Sequence, residues 1–202
     1  MTWNVFWRWG GDYLERAPGI VDTLRACRPD IIGLCETWAG DDLPHDQRGG
    51  PPPTALVTTL AHPRGPLHVI VTCLEWEPSY AADQLAQASV VATLAADPRL
   101  DGPLPVLVLG DLNAAPGQAE IAPLTSALSD TFAAGGGDPG AKTLDSAVPF
   151  APIEAAHLID RRIDHILARP AVRVSRAFLA GDRPVAGRYP SDHYAVGVDL
   201  DL

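Results

Sequence analysis

The sequence predicts a layered α+β domain, and three observations predict it. Short apolar runs of strand length recur along the whole chain, two longer segments carry helical spacing instead, and 47% of residues are hydrophobic against 20% charged. That balance supports a sizeable buried core and excludes a disordered polar chain. At 202 residues the chain has the length of one domain, residues 1–202.

The elements follow in order. Residues 2–6 read as a short first strand. Residues 13–28 carry helical spacing through Leu14, Ala17, Val21, Leu24 and Ala26, with Pro18-Gly19 weakening the first half and Arg28-Pro29-Asp30 ending it. Residues 31–35 form an apolar run consistent with a buried strand. Residues 40–53 are dense in Gly, Pro and charge, a loop or a place where ordered chain is missing. Residues 56–60 and 67–74 predict two strands around a turn at His62-Pro63-Arg64-Gly65-Pro66. The clearest helix covers 80–96, with Leu85, Ala88, Val91, Ala92 and Ala95 on one face, Ser79 as N-cap and Asp97-Pro98 as its stop. Residues 106–109 give the strongest strand signal. A short helix over 118–128, a loop over 135–140 and strands over 163–167, 172–179 and 194–200 complete the set.

The charge is strongly acidic: 25 Asp and Glu against 15 Lys and Arg, a net −10, with Lys142 the lone lysine. Duplex binding through a broad basic face is therefore disfavoured, because that affinity comes from neutralising phosphates. A small pocket with arginine could still hold one phosphate. Cys27, Cys35 and Cys73 are an odd number without metal-type spacing, which argues against a disulfide framework. No apolar run approaches the roughly 20 residues of a membrane span. No charged leader or cleavage site follows Met1, so a cytoplasmic location is expected.

The informative pattern is the placement of polar side chains on apolar strands. Asn4 lies within the first, Glu36 follows the second, and Asp111 and Asn113 follow residues 106–110. Asp164 and His165 sit inside 161–167, and Asp192 and His193 stand just before 194–198. Polar groups in or beside buried strands are costly unless they are paired or bind an ion. If these strand ends converge, they build a carboxylate-rich pocket that also holds an imidazole. Oxygen ligands of this kind suit Mg²⁺ or Mn²⁺ rather than Zn²⁺. Taken singly, each residue has an ordinary explanation: Asn4 pairing an edge strand, Glu36 ending a strand, Asp111 and Asn113 opening a turn, Asp164 and His193 a structural pair. His165 faces away from Asp164 and reads as a packing or supporting residue.

Thr2-Trp3-Asn4-Val5, Pro29-Asp30-Ile31-Ile32-Gly33-Leu34-Cys35-Glu36-Thr37, Gly110-Asp111-Leu112-Asn113, Arg162-Ile163-Asp164-His165-Ile166-Leu167 and Ser191-Asp192-His193-Tyr194 resemble, in order, the successive motifs of the endonuclease/exonuclease/phosphatase family. The resemblance implies a four-layer α/β sandwich, two packed mixed β-sheets flanked by helices, with the site at one end. It implies Glu36 as principal metal ligand with Asn4 and Asp192 near the ion or phosphate. Asp111 would position or deprotonate the attacking water, and Asn113 would bond that water or a phosphoryl oxygen. His193 would contact the phosphoryl oxygen, oriented by Asp164. The expected activity is a Mg²⁺- or Mn²⁺-dependent phosphoesterase working by in-line water attack, with a small substrate preferred. A DNA endonuclease or repair-type nuclease, and a catalytically silent phosphate-binding member of the fold, remain the alternatives.

Two departures from the family pattern stand out. Cys73 occupies, in Val71-Thr72-Cys73-Leu74, the place where many relatives carry a phosphate-contacting His, and a neutral thiol is a weak donor. The stretch between Glu36 and Thr72 is also short, so a segment near residues 40–41 is either missing or naturally trimmed. Trp7 and Trp38, with Trp9 beside them, are candidates for stacking on a leaving group. Arg162, with Arg8 and Arg188, is a candidate substrate contact.

Overall fold

The computed structural model describes residues 1–6, 12–37 and 55–202. Two sheets face one another. One has four strands in the order β2-β1-β9-β8: β1 (Thr2–Asn4), β2 (Gly33–Cys35), β8 (Val174–Ala180) and β9 (Ala195–Leu200). The other has five in the order β3-β4-β5-β7-β6: β3 (Ala55–His62), β4 (Gly65–Cys73), β5 (Val106–Asp111), β6 (Ser129–Asp130) and β7 (Asp164–Arg169). Both sheets are mixed: β1 runs parallel to β2 and β4 parallel to β5, while the other pairs are antiparallel.

Strand alternation builds the layers. On β5, Val106 and Val108 face a buried cluster with Ala88, Val91 and Ala95 of α2 (Ala81–Ala95) and Leu124 of α3 (Ala122–Ala127). Leu107 and Leu109 face the other way, packing with Leu67, Val69, Ile166, Ala168 and Val196 between the sheets. Successive side chains of a strand point to opposite faces, so covering both faces demands the continuous apolar run that marks β5 in the sequence. Outside the four-stranded sheet, Trp3, Val5 and Ala195 pack against Ile20 and Leu24 of α1 (Tyr13–Cys27). Helix, sheet, sheet, helix is the four-layer sandwich expected.

The differences from expectation are local. α1 spans nearly the predicted residues, but its buried face is Arg16, Gly19 and Ile20, while Leu14 and Val21 are exposed. α2 buries Gln84 rather than Leu85. Ser79 does not cap α2; its hydroxyl donates to Glu77, and Tyr80 stands at the N-cap without a side-chain capping bond. β6 and the short α4 (Thr131–Ala134) were not anticipated, and 118–128 divides into a 3₁₀ turn (Ala119–Ile121) followed by α3. The β3–β4 turn is tighter than predicted, closing at His62↔Gly65. The glycine- and proline-rich stretch, with Trp38 and residues 40–41, and Trp7, Arg8 and Trp9 lie outside the described residues. Among the described residues no helix is long and apolar enough to cross a membrane.

Candidate active site

The site is the polar end of the inter-sheet core. Along β5 the inward row runs Leu107, Leu109, Asp111, and along β7 it runs Ala168, Ile166, Asp164, so the same alternation that packs the core ends in two carboxylates. The register puts Cys73, Asp111 and Asp164 side by side across β4, β5 and β7. From the facing sheet comes Asn4, which shares its side of β1 with Thr2 while Trp3 turns outward. The β4–β5 approach requires glycine: a Cβ on Gly110 would meet the Thr72 carbonyl oxygen at 1.8 Å.

The side chains form one connected system. The Asn4 Nδ2 group donates to Glu36 Oε1 and to Asp111 Oδ2, each at 3.0 Å, and its Oδ1 accepts from the Phe6 N–H. That last bond decides which end of the amide faces the carboxylates. Asp111 Oδ1 accepts from the Asn113 N–H at 3.0 Å, and Asp111 Oδ2 lies 3.9 Å from His193 Nε2. On its other nitrogen, His193 Nδ1 donates to Asp164 Oδ2 at 2.8 Å. The Ser191 hydroxyl donates to the Asn4 carbonyl at 2.7 Å, accepts from the His193 N–H and lies 3.2 Å from Asp192 Oδ1. The Asn113 amide donates to the Leu74 carbonyl at 2.9 Å.

Burial sets the electrostatics. It pushes the Asp111 carboxyl up to about 7, with nearby Asp164 adding to the rise and His193 and Asn4 opposing it. Burial likewise raises Glu36 and Asp192 above the ordinary carboxylate range. For His193, burial disfavours the charged ring, but Asp164, Asp111 and Asp192 outweigh it and hold the pKa well above the usual value. The Cys73 thiol is pushed well up by burial beside the carboxylates, so it stands next to Asp111 as a neutral group.

Two buried carboxylate oxygens lack any hydrogen-bond partner among the described residues, Glu36 Oε2 and Asp164 Oδ1, as does the Thr2 hydroxyl. An unpaired carboxylate oxygen inside a fold is costly, and a cation relieves that cost. Asp111, Asp164 and His193 also bring ligand atoms within 4.8 Å of one another, a group that could hold a metal ion. Asp164 takes up His193 Nδ1, and the surrounding carboxylates favour the charged ring, which has no lone pair to give. Glu36, with Oε2 unpaired, could also hold an ion.

Not every expected residue joins. Arg162 is buried elsewhere: its guanidinium pairs with Asp130, meets His165 Nδ1 at 3.2 Å and lies 4.9 Å from the Phe132 ring centroid. A buried guanidinium needs such a carboxylate, so a structural ion pair replaces the expected substrate contact. Arg188 pairs with Asp12 and Glu15. His165 does turn to the far side of β7, where Nε2 donates to the Ala114 carbonyl at 2.8 Å.

The supporting groups were the harder part to foresee. Trp3 Nε1 donates to the His193 carbonyl at 2.9 Å, Thr143 Oγ1 accepts from the Ile163 and Asp164 N–H groups, and Gln84 Nε2 donates to the Leu112 and Asn113 carbonyls. Only Gln84 carried a sequence signal, as a polar residue where the α2 helical period allows a buried one.

A family model described as "Endonuclease/Exonuclease/phosphatase family" matches residues 1–193. The chain belongs to the endonuclease/exonuclease/phosphatase family. Among solved structures, truncated Caenorhabditis elegans TDP2 superposes with a TM-score of 0.81 at 18% identity, covering 98% of this chain and 95% of that one. D. rerio TDP2 complexed with single-strand DNA product gives 0.76 at 18% identity, covering 100% and 97%. The Bacteroides thetaiotaomicron mannosyl-6-phosphatase Bt3783 gives 0.66 at 16% identity, covering 100% and 98%. At these identities the likeness is one of fold. No curated protein sequence matches the chain significantly.

Proposed function

We propose that this family member is a divalent-metal-dependent phosphoesterase that hydrolyses a small phosphoester by in-line attack of water. The observation that carries this reading is the connected row Glu36–Asn4–Asp111···His193–Asp164, buried at one end of the sandwich with the Glu36 Oε2 atom unpartnered. Glu36 and Asp192 would hold the ion, and their hard oxygens fit Mg²⁺ or Mn²⁺. Asn4 presents nitrogen to the carboxylates, so its part is to orient Glu36 and Asp111. The cation would offset negative charge gathering on the phosphoryl oxygens.

The chain's own groups do the rest. Asp111, pushed up to about 7, is matched to accept a proton from water near neutral pH. Asn113 fixes the Asp111 carboxylate through its N–H. His193, kept charged by Asp164, offers Nε2–H to a phosphoryl oxygen and places positive charge where negative charge grows.

A nucleic-acid phosphodiester is the second reading, supported by the fold shared with a TDP2 solved with single-strand DNA product. The net charge of −10 favours the small substrate. The deciding experiment offers Mg²⁺ or Mn²⁺ with bis(4-nitrophenyl) phosphate, a phosphomonoester and plasmid DNA. Small-ester turnover that Glu36→Gln abolishes is the expected result. Plasmid nicking without small-ester turnover selects the nuclease. Metal binding with every ester left intact marks a silent phosphate-binding protein.

A further inference from the structure

Arg16 of α1 lies at the same end of the sandwich, 1% exposed, in a face of the helix otherwise made of Gly19 and Ile20. A guanidinium placed that deeply needs an acceptor for each of its donors. Nη1 donates to the Val5 carbonyl at 3.2 Å and to the Pro190 carbonyl at 3.0 Å, Nη2 to the Phe6 carbonyl at 2.6 Å, and Nε to Asp12 Oδ1 at 2.9 Å. The three carbonyls belong to two segments far apart in sequence. Val5 and Phe6 directly follow Asn4, and Pro190 directly precedes Ser191-Asp192-His193.

The bond to Phe6 has a particular consequence. Phe6 has φ of 46°, a left-handed conformation that is unfavourable for a non-glycine residue. Its N–H donates to Asn4 Oδ1, and this bond turns the Asn4 nitrogen toward Glu36 and Asp111. The Arg16 guanidinium carbon also lies 5.3 Å from the Phe6 ring centroid and 5.7 Å from that of Phe150, so the residue is gripped from both its carbonyl and its ring.

We propose that Arg16 is a positioning residue for the site: it holds Phe6 in its left-handed turn, and through Phe6 it sets the direction of the Asn4 amide that orders Glu36 and Asp111. Its bond to the Pro190 carbonyl supplies a further acceptor for the buried guanidinium. The inference rests on the phosphoesterase reading for its catalytic meaning, but its structural content can be tested without turnover. Lysine is no substitute, because a single ammonium cannot span carbonyls of both segments with the fixed fork that guanidinium provides.

The test uses Arg16→Gln and Arg16→Lys, with two side-chain NMR signals read in the metal-free protein: the Asn4 Nδ2 protons and the Trp3 Nε1 proton, which donates to the His193 carbonyl. Both variants are expected to lower the protection of the Asn4 protons from solvent exchange by about tenfold or more while Trp3 stays within about twofold of wild type. With Mg²⁺ and bis(4-nitrophenyl) phosphate, kcat is expected to fall about tenfold or more with KM within about threefold. If neither variant folds, Asp12→Ala removes the Nε anchor, together with the exposed Arg188 pair, and should show the same Asn4-selective loss in smaller measure. Unchanged Asn4 protection, or equal losses at Asn4 and Trp3, overturns the proposal. A wild-type protein that cleaves no ester would end the phosphoesterase reading, and the exchange measurement would still decide the role of Arg16.

Discussion

Asp111 couples chemistry to stability more directly than any other residue here. Its carboxyl is favoured in the neutral form by burial, with a pKa of about 7 against an unfolded value near 3.8. A pKa raised on folding contributes stability that is complete below the unfolded value and is lost as pH rises through the folded one. The metal-free protein should therefore lose stability as pH rises from about 4 through about 7. Asp111→Asn should flatten that slope in urea titrations run across the range; an unchanged slope would refute the assignment. His193 offers a second reading of the same field. Because Asp164 is the leading group that opposes the effect of burial, Asp164→Asn should bring the His193 pKa down from well above 6.5 toward or below it, followed by ring NMR titration of metal-free protein. A pKa that stays high would make Asp111 and Asp192 the cause instead.

At the scale of elements, the site depends on two strands coming closer than side chains ordinarily permit. Gly110 lies in register with Thr72, and an added methyl would strike the Thr72 backbone, its carbonyl oxygen first. Gly110→Ala should destabilise the protein by about 3 kcal/mol. Gly117→Ala is the comparison: nothing lies within 4 Å of its Cβ, so only the strain of its positive φ applies, about 1–2 kcal/mol. Equal losses in the two variants would show that the β4–β5 approach is not the tight constraint described. The helices teach a related lesson. The 3.6-residue period located α1 and α2 well, yet it assigned the buried positions by hydrophobicity. Arg16 and Gln84 escape that rule because each is buried to satisfy backbone carbonyls rather than to leave water. Leu14 and Leu85, which the period favours, are exposed.

For the whole molecule, the acidic surface and the small set of cationic groups at the site separate two kinds of substrate. Turnover of a small ester relies on contacts inside the pocket, so kcat/KM should change by less than about twofold between about 50 and about 200 mM salt. A steep fall would indicate phosphate contacts beyond the pocket and return the nuclease to first place. The amino-acid sequence alone determined the layered class, most strand and helix positions, and the ordered motifs that named Asn4, Glu36, Asp111, Asn113, Asp164, Asp192 and His193. It could do so because burial imposes a period on each strand, and because carboxylates at the ends of apolar strands stand out against that period. Tertiary structure decided which of these polar groups meet, which end of the Asn4 amide faces the carboxylates, and that Arg162 serves an ion pair. Such choices depend on distances of about 3 Å between segments more than a hundred residues apart, where a buried donor takes whichever acceptor the packing of two sheets brings to it.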